Sequence, residues 1–100
     1  MMILVIGSVT VSEDSLAQAI SLSQQHVNRS RSEHGCVSHE LQQDTENPCR
    51  LVFVERWKDM DALEQHFQVP ESGEFVAAIG ELATASPEMN LYECQEIRRH

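Results

Sequence analysis

Residues 36–57, CVSHELQQDTENPCRLVFVERW, contain two β-forming runs separated by a turn. The first run alternates Val37, His39 and Leu41 with polar residues, as a strand with one buried face does. The second run, residues 50–57, is apolar on both parities and is therefore expected to be covered on both faces. Because the intervening DTENP is rich in turn-forming residues, the two runs are predicted to form a β-hairpin.

The segments on either side of this hairpin add two strands and two helices. Residues 2–11, MILVIGSVTV, are predicted to form a strand with apolar side chains on both faces, and Ser12 is placed to cap a first helix. Asp59 begins a second helix, which Pro70 interrupts. Residues 89–97 form the last strand. The predicted order is therefore βαββαβ, with the second helix in two pieces.

This order is that of a ferredoxin-like α+β domain with a four-stranded antiparallel sheet, and residues 1–100 correspond to one such domain. Only the first and third strands are apolar on both faces, so they are expected in the middle of the sheet. The helices can cover just one face of that sheet. Because the other face is also apolar, its simplest cover is the same face of a second copy, and we expect a homodimer.

The charge of the chain excludes several classes of partner. Sixteen acidic residues against seven basic ones give a net charge of −9, which disfavours nucleic acid and anionic membranes. The apolar N-terminal run lacks the basic region and cleavage pattern of a signal peptide. Three cysteines, an odd number, fit a reducing compartment better than a disulfide scaffold. We therefore expect a soluble cytoplasmic protein.

The segment HGCVSHELQQDTENPCRLVFVERWKDMDALEQHF, residues 34–67, resembles the antibiotic biosynthesis monooxygenase domain, including its quinol monooxygenase-like members. That family has a glycine-cysteine pair at the start of the second strand, a proline in the hairpin, a strand that ends in glutamate, a basic or aromatic residue and tryptophan, and a helix with alanine, leucine and histidine. The matching positions in this chain are Gly35, Cys36, Pro48, Glu55, Arg56, Trp57, Ala62, Leu63 and His66.

The resemblance implies a dimeric α+β barrel built from ferredoxin-like units, each with a pocket between sheet and helices. It also implies oxidation of a quinol or other phenolic molecule with dioxygen, without a metal or organic cofactor. The chain departs from the family pattern in lacking a second histidine after Pro70. Haem-degrading relatives need an asparagine in the first strand, where this chain has Gly7, Ser8 and Thr10, so haem degradation is not expected.

An oxidation of this kind needs a base and an apolar pocket. The reaction can begin when the substrate loses a proton and the resulting anion gives one electron to dioxygen. Histidine is a natural base because its ordinary pKa, about 6.5, is close to neutral. The candidates for this role are His66 and His39. Candidates for the pocket wall, or for orienting a phenolic oxygen, are Trp57, Phe53, Phe67, Phe75 and Tyr92.

Each candidate also has a purely structural interpretation. His66 lies on the flank of an apolar helical stripe, where a solvated histidine is common, so its replacement is expected to cost little stability. His39 shares a strand parity with Val37 and Leu41 and is expected to point toward the interior or an interface. Trp57 and the phenylalanines can serve the core alone.

A metal site in the hairpin region is a further alternative. The residue types that bind zinc occur at His34, Cys36, His39 and Cys49. In a regular strand, however, Cys36 and His39 point to opposite faces and cannot share an ion without a bulge. We therefore predict no metal site and three reduced cysteines.

The sequence leaves three functions open. The first is a cofactor-independent monooxygenase that acts on a quinol or related phenol, with His66 as base and Trp57 at the pocket. The second is an isomerase of a small carbonyl metabolite on the same scaffold. The third is a binding or stress-response dimer without chemistry.

Overall fold

Four antiparallel strands form one sheet in the computed structural model, which describes residues 1–99. The strand order is β2-β3-β1-β4, so the first and third strands are central, as predicted. The elements are β1 (Met2–Thr10), α1 (Leu16–Ser30), β2 (Cys36–Gln43), β3 (Arg50–Trp57), α2 (Met60–Gln68), α3 (Pro70–Leu82) and β4 (Glu88–Cys94). This arrangement confirms the ferredoxin-like α+β fold.

The core lies between the helices and one face of the sheet. Every second residue of β1 and β3 points toward the helices and is buried, which is the period that a strand imposes. These side chains form two apolar clusters with residues of the helices. One contains Val9, Val11, Ala19, Val27, Leu51, Phe53 and Ile79. The other contains Ile3, Val5, Trp57, Ala62 and Leu63.

The helix boundaries follow local chemistry in two of three cases. Asp59 caps α2, because its side chain accepts a hydrogen bond from the backbone N–H of Ala62 at 2.9 Å. Pro70 stands in the first turn of α3, where its missing N–H leaves no hydrogen bond unmade. The predicted cap at Ser12 is wrong. Its side chain makes no capping hydrogen bond, and a short 3₁₀ turn at Glu13–Ser15 precedes α1 instead.

Gly35 joins α1 to β2 at a place that requires glycine. Its φ is 83°, which is in the left-handed region. A Cβ at this position would lie 2.4 Å from the Cβ of Ala62 in α2. The backbone carbonyl of Gly35 accepts a hydrogen bond from the N–H of Lys58 at 2.8 Å. The turn therefore holds the end of α1 close to the start of α2.

A β-bulge in β2 corrects one prediction. Cys36 pairs with Trp57 and Ser38 with Arg56, so Val37 has no partner in the register and is 61 % exposed. The extra residue puts Cys36 and His39 on the same, helix-facing side of the sheet. The expectation that they point to opposite faces is therefore wrong, because it assumed a regular strand.

The second face of the sheet carries apolar side chains that the helices do not cover. Leu4 and Ile6 of β1 lie there with Val52 and Val54 of β3 and with Tyr92 of β4. Ile6 is 39 % exposed and Tyr92 49 % exposed in the single chain. None of the helices within residues 1–99 has the length and apolarity to cross a membrane.

Candidate functional site

A pocket of about 410 Å³ lies between the sheet and helices α2 and α3. Phe53, Phe67 and Phe75, three of the proposed wall residues, all line it. Its polar groups include the imidazoles of His26 and His66. An apolar cavity with a few convergent polar groups is the usual form of a small-molecule site.

His66, the first candidate for the base, lies in the last turn of α2. It is only 4 % exposed, so the expectation of a solvated position on the helix flank is wrong. The burial has a specific cause: His66 Nδ1 lies 2.7 Å from Glu33 Oε1, just after α1. Because a carboxylate accepts, Nδ1 carries a proton, so in the neutral ring the lone pair is on Nε2. His66 is therefore held in the tautomer that a base requires.

His39 lies deeper than His66 and is 1 % exposed, which is the interior position expected of it. Its Nε2 is 3.3 Å from Glu55 Oε1, but the contact lacks the direction of a hydrogen bond, and neither ring nitrogen has a hydrogen-bond partner. His39 is not among the side chains that line the pocket in the described part of the chain. His39 therefore lies beside the Glu55 carboxylate without a well-directed hydrogen bond.

Glu55 is a buried carboxylate at the floor of the pocket, 5 % exposed. It accepts a hydrogen bond from the indole N–H of Trp57 at 2.9 Å. Burial opposes its ionisation, but the contact with His39 and the hydrogen bond from the indole N–H outweigh burial. Together they hold the pKa of Glu55 below its ordinary value. The pocket therefore has a negative charge at its base.

His26 of α1 is a pocket residue that sequence reasoning missed. It is 7 % exposed and stacks on Phe75, with ring centroids 4.1 Å apart and planes inclined by 9°. Burial lowers its pKa from 6.5 to about 3, with further lowering from His39, His66 and Arg29. A signal existed in the sequence: His26 comes three residues after Ser23 and directly before Val27, a spacing that puts all three on one face of a helix, and that face is buried.

An ion pair connects the two pocket histidines. Arg29 Nη1 donates to Glu33 Oε2 at 2.9 Å, while its Nη2 lies 2.7 Å from His26 Nδ1 and 3.1 Å from Ser72 Oγ. Glu33 in turn holds His66. The Arg29–Glu33 pair thus contacts the Nδ1 atom of both imidazoles, with a donor at one and an acceptor at the other.

His26, His39 and His66 form a histidine cluster in which one ring nitrogen of each lies within 4.8 Å of the others. Three histidines are a common donor set for transition metals. Arginine has no acceptor, so the Nδ1 of His26 must accept from it, and the proton of this neutral ring sits on Nε2. A protonated nitrogen offers no lone pair to a metal. A metal ion at Nε2 of His26 would have to displace this proton and disturb the contact with Arg29.

The remaining candidate residues lie outside the pocket lining. Trp57 is fully buried behind His66, with ring centroids 4.6 Å apart, and therefore supports the base and does not form a wall. Tyr92 is on the opposite face of the sheet, paired with Leu4, so it cannot orient a substrate in this pocket.

The cysteines form no part of the histidine cluster. All three are free thiols. Burial raises the pKa of Cys36 to about 11, with added repulsion from Glu33 and Glu55, so this thiol stays protonated at neutral pH.

Comparison with known proteins identifies the family. The family model of the antibiotic biosynthesis monooxygenases matches residues 2–78. An uncharacterized protein from Synechocystis is 35 % identical over 94 residues, which is 94 % of this chain and 64 % of that protein. The chain thus spans somewhat less than two thirds of the length of this relative.

Solved structures share the whole fold. A conserved protein from Methanosarcina mazei is 25 % identical, with a TM-score of 0.90 over 95 % of this chain and 94 % of that one. A candidate antibiotic biosynthesis monooxygenase from Deinococcus radiodurans is 20 % identical, with a TM-score of 0.92 over 98 % and 97 %. Because the family model matches residues 2–78, more than half of the chain, this chain belongs to the antibiotic biosynthesis monooxygenase family.

Proposed function

We propose that the protein is a monooxygenase that oxidises a quinol or related phenol with dioxygen and needs no metal or organic cofactor. The observation that carries the proposal is the Glu33–His66 pair, which leaves a lone pair on His66 Nε2 beside an apolar pocket of about 410 Å³. The family membership supports the reaction class. The phenolic substrate class is proposed together with the reaction.

The proposed reaction begins with proton transfer from a substrate hydroxyl to His66 Nε2. The electron-rich anion then gives one electron to dioxygen, and the two radicals combine at a ring carbon. One oxygen atom stays on the ring and the other leaves as water. The quinol itself supplies the two electrons that reduce the second oxygen atom to water, so the reaction needs no outside reductant.

The apolar wall favours this chemistry by excluding water. Phe53, Phe67 and Phe75 surround the space next to His66. Trp57 and the Glu33 contact fix the imidazole from behind, so the base keeps its direction when the substrate enters. His39 is the alternative base, but His66 is favoured because it lines the pocket.

We also propose that the uncovered face of the sheet binds a second copy of the chain. Exposed Ile6 and Tyr92 lie on that face beside the half-buried Leu4, Val52 and Val54. A stable interface of this kind buries more than roughly 1,200 Å² in total. Sedimentation at micromolar concentration is expected to show a dimer, and monomer alone would contradict this.

The three free thiols favour a reducing compartment, and we propose the cytoplasm.

Oxygen uptake with a panel of quinols tests the proposed reaction. We expect His66→Gln to slow turnover of an accepted quinol by about 10² to 10⁴. His34→Gln is the matched control, because His34 is exposed and is not among the residues that line the pocket, and it should leave turnover unchanged. Full uptake by His66→Gln together with loss in His39→Gln would move the base to His39.

The same base could serve a proton-transfer isomerase. In that case substrate recovered from deuterated solvent would carry deuterium, and no oxygen would be consumed. This pair of results would replace the monooxygenase proposal.

A further inference from the structure

We infer that His26 is a second catalytic residue, a neutral imidazole whose Nε2–H donates a hydrogen bond to the oxygen anion that forms when His66 takes the substrate proton. The inference rests on the proposed function for the identity of that anion. It assigns a role to a side chain that the family motif does not contain.

The two imidazoles are held in opposite tautomers. Arg29 can only donate, so His26 Nδ1 accepts and the ring carries its proton on Nε2. Glu33 accepts, so His66 carries its proton on Nδ1 and has a lone pair on Nε2. Since Arg29 and Glu33 are themselves paired at 2.9 Å, one ion pair sets both tautomers. The pocket thus has one hydrogen-bond donor and one acceptor at neighbouring rings.

Burial keeps His26 neutral, and the basic groups around it act in the same direction. Arg29 approaches it from its own helix, and His66 and His39 from α2 and β2, with ring centroids 5.3 and 5.4 Å away. Glu55 of β3 opposes these effects, but burial and the three basic neighbours outweigh it, which is why the pKa of His26 falls to about 3. A neutral donor stabilises an oxygen anion without surrendering its own proton.

The spacing of the rings fits one bound oxygen atom. One ring nitrogen of each histidine in the cluster lies within 4.8 Å of the others, and we take Nε2 to be that nitrogen in His26 and His66. An oxygen at hydrogen-bond distance from two nitrogens, about 2.8 Å from each, fits between nitrogens at that separation. Such an oxygen would accept from His26 and give its proton to His66. The ligand class is therefore a weakly acidic hydroxyl that binds as its anion, with an apolar ring against Phe53 and Phe75.

The tautomers can be measured without any substrate. Long-range ¹H–¹⁵N spectra of the wild-type protein at neutral pH distinguish the two nitrogens of each imidazole. We expect the proton on Nε2 of His26 and on Nδ1 of His66. Finding both rings in the same tautomer, or His26 doubly protonated, would overturn the inference whether or not the protein consumes oxygen.

Binding of 4-nitrophenol tests the donor directly, because its anion has a visible band that its neutral form lacks. The wild type is expected to bind it as the anion. His26→Phe keeps the stacking on Phe75 and the base His66 but removes the donor, and it should bind the anion about 10- to 100-fold more weakly, the effect of one hydrogen bond to a charged group. His34→Phe, an exposed position, should bind as the wild type does.

The outcomes separate this inference from the proposed function. Equal affinity of wild type and His26→Phe, with both variants folded by circular dichroism, would overturn the role of His26. If the wild type binds the anion and loses it in His26→Phe, yet consumes no oxygen with any quinol, the donor role stands and the monooxygenase proposal fails. Normal quinol turnover by His26→Phe would leave the monooxygenase proposal intact and refute the donor.

Discussion

Acidification below pH 6.5 should destabilise the protein through His26. The pKa of His26 is about 3 in the folded chain and 6.5 as its ordinary value. Between these values the unfolded chain binds a proton that the folded chain does not, so the free energy of unfolding falls as the pH falls. His26 therefore contributes stability that is present above pH 6.5 and lost on the way down to about 3.

The expected fall in the free energy of unfolding is large enough to measure. Its slope is at most about 1.4 kcal/mol per pH unit, and from pH 6.5 to 4.5 it amounts to about 2 kcal/mol. The buried Glu55 does not interfere in this range. Its folded pKa is lowered, so its contribution is present above the ordinary value of 4.5 and is lost only as the pH falls through the lower folded value.

Urea unfolding followed by circular dichroism, at fixed protein concentration and at several pH values, measures this slope. His26→Phe should show a shallower loss, because the variant keeps the ring stacked on Phe75 but cannot bind the proton. His34→Phe, at an exposed position, should keep the wild-type slope. Parallel curves for wild type and His26→Phe would show that His26 is not held neutral.

Three further predictions concern Glu33, Gly35 and Cys36. Glu33→Gln should slow quinol turnover by about 10² to 10⁴, since an amide N–H can turn His66 into the wrong tautomer, and steady-state kinetics with a folded variant would check this. Gly35→Ala should lower the free energy of unfolding by about 2 to 4 kcal/mol, because φ is 83° and the new methyl group would meet Ala62, which a urea titration would measure. Cys36, whose pKa is about 11, should react with iodoacetamide at neutral pH far more slowly in the folded than in the denatured protein, as peptide mass spectrometry would show.

Local patterns were sufficient to predict the fold. The two-sided apolar pattern of β1 and β3 indicated the central strands, and Asp59 and Pro70 marked the starts of α2 and α3 correctly. These features depend on neighbours a few residues apart, which a sequence shows directly.

The bulge at Val37 was not predictable in the same way. Strand parity assumes one residue per step, and nothing in CVSHELQQ marks an inserted residue. As a result, Cys36 was placed on the wrong face of the sheet.

The candidate site depends on contacts between distant segments. His66 was expected near solvent because its helix shows only an apolar flank, whereas Glu33, 33 residues earlier, binds its ring in the interior. His26 meets His39 and His66 only when α1, β2 and α2 converge. Its helical spacing from Ser23 is compatible with burial, but no local pattern indicates which rings will surround it.

Labelled dioxygen tests the central claim most directly. An accepted quinol is incubated with the wild-type protein under isotopically labelled dioxygen in ordinary water, and the mass of the product is measured by mass spectrometry. We expect one labelled oxygen atom in each product molecule, and loss of product formation in His66→Gln but not in His34→Gln. Product oxygen that comes from water, or product that forms at the same rate without dioxygen, would contradict a monooxygenase reaction in this pocket.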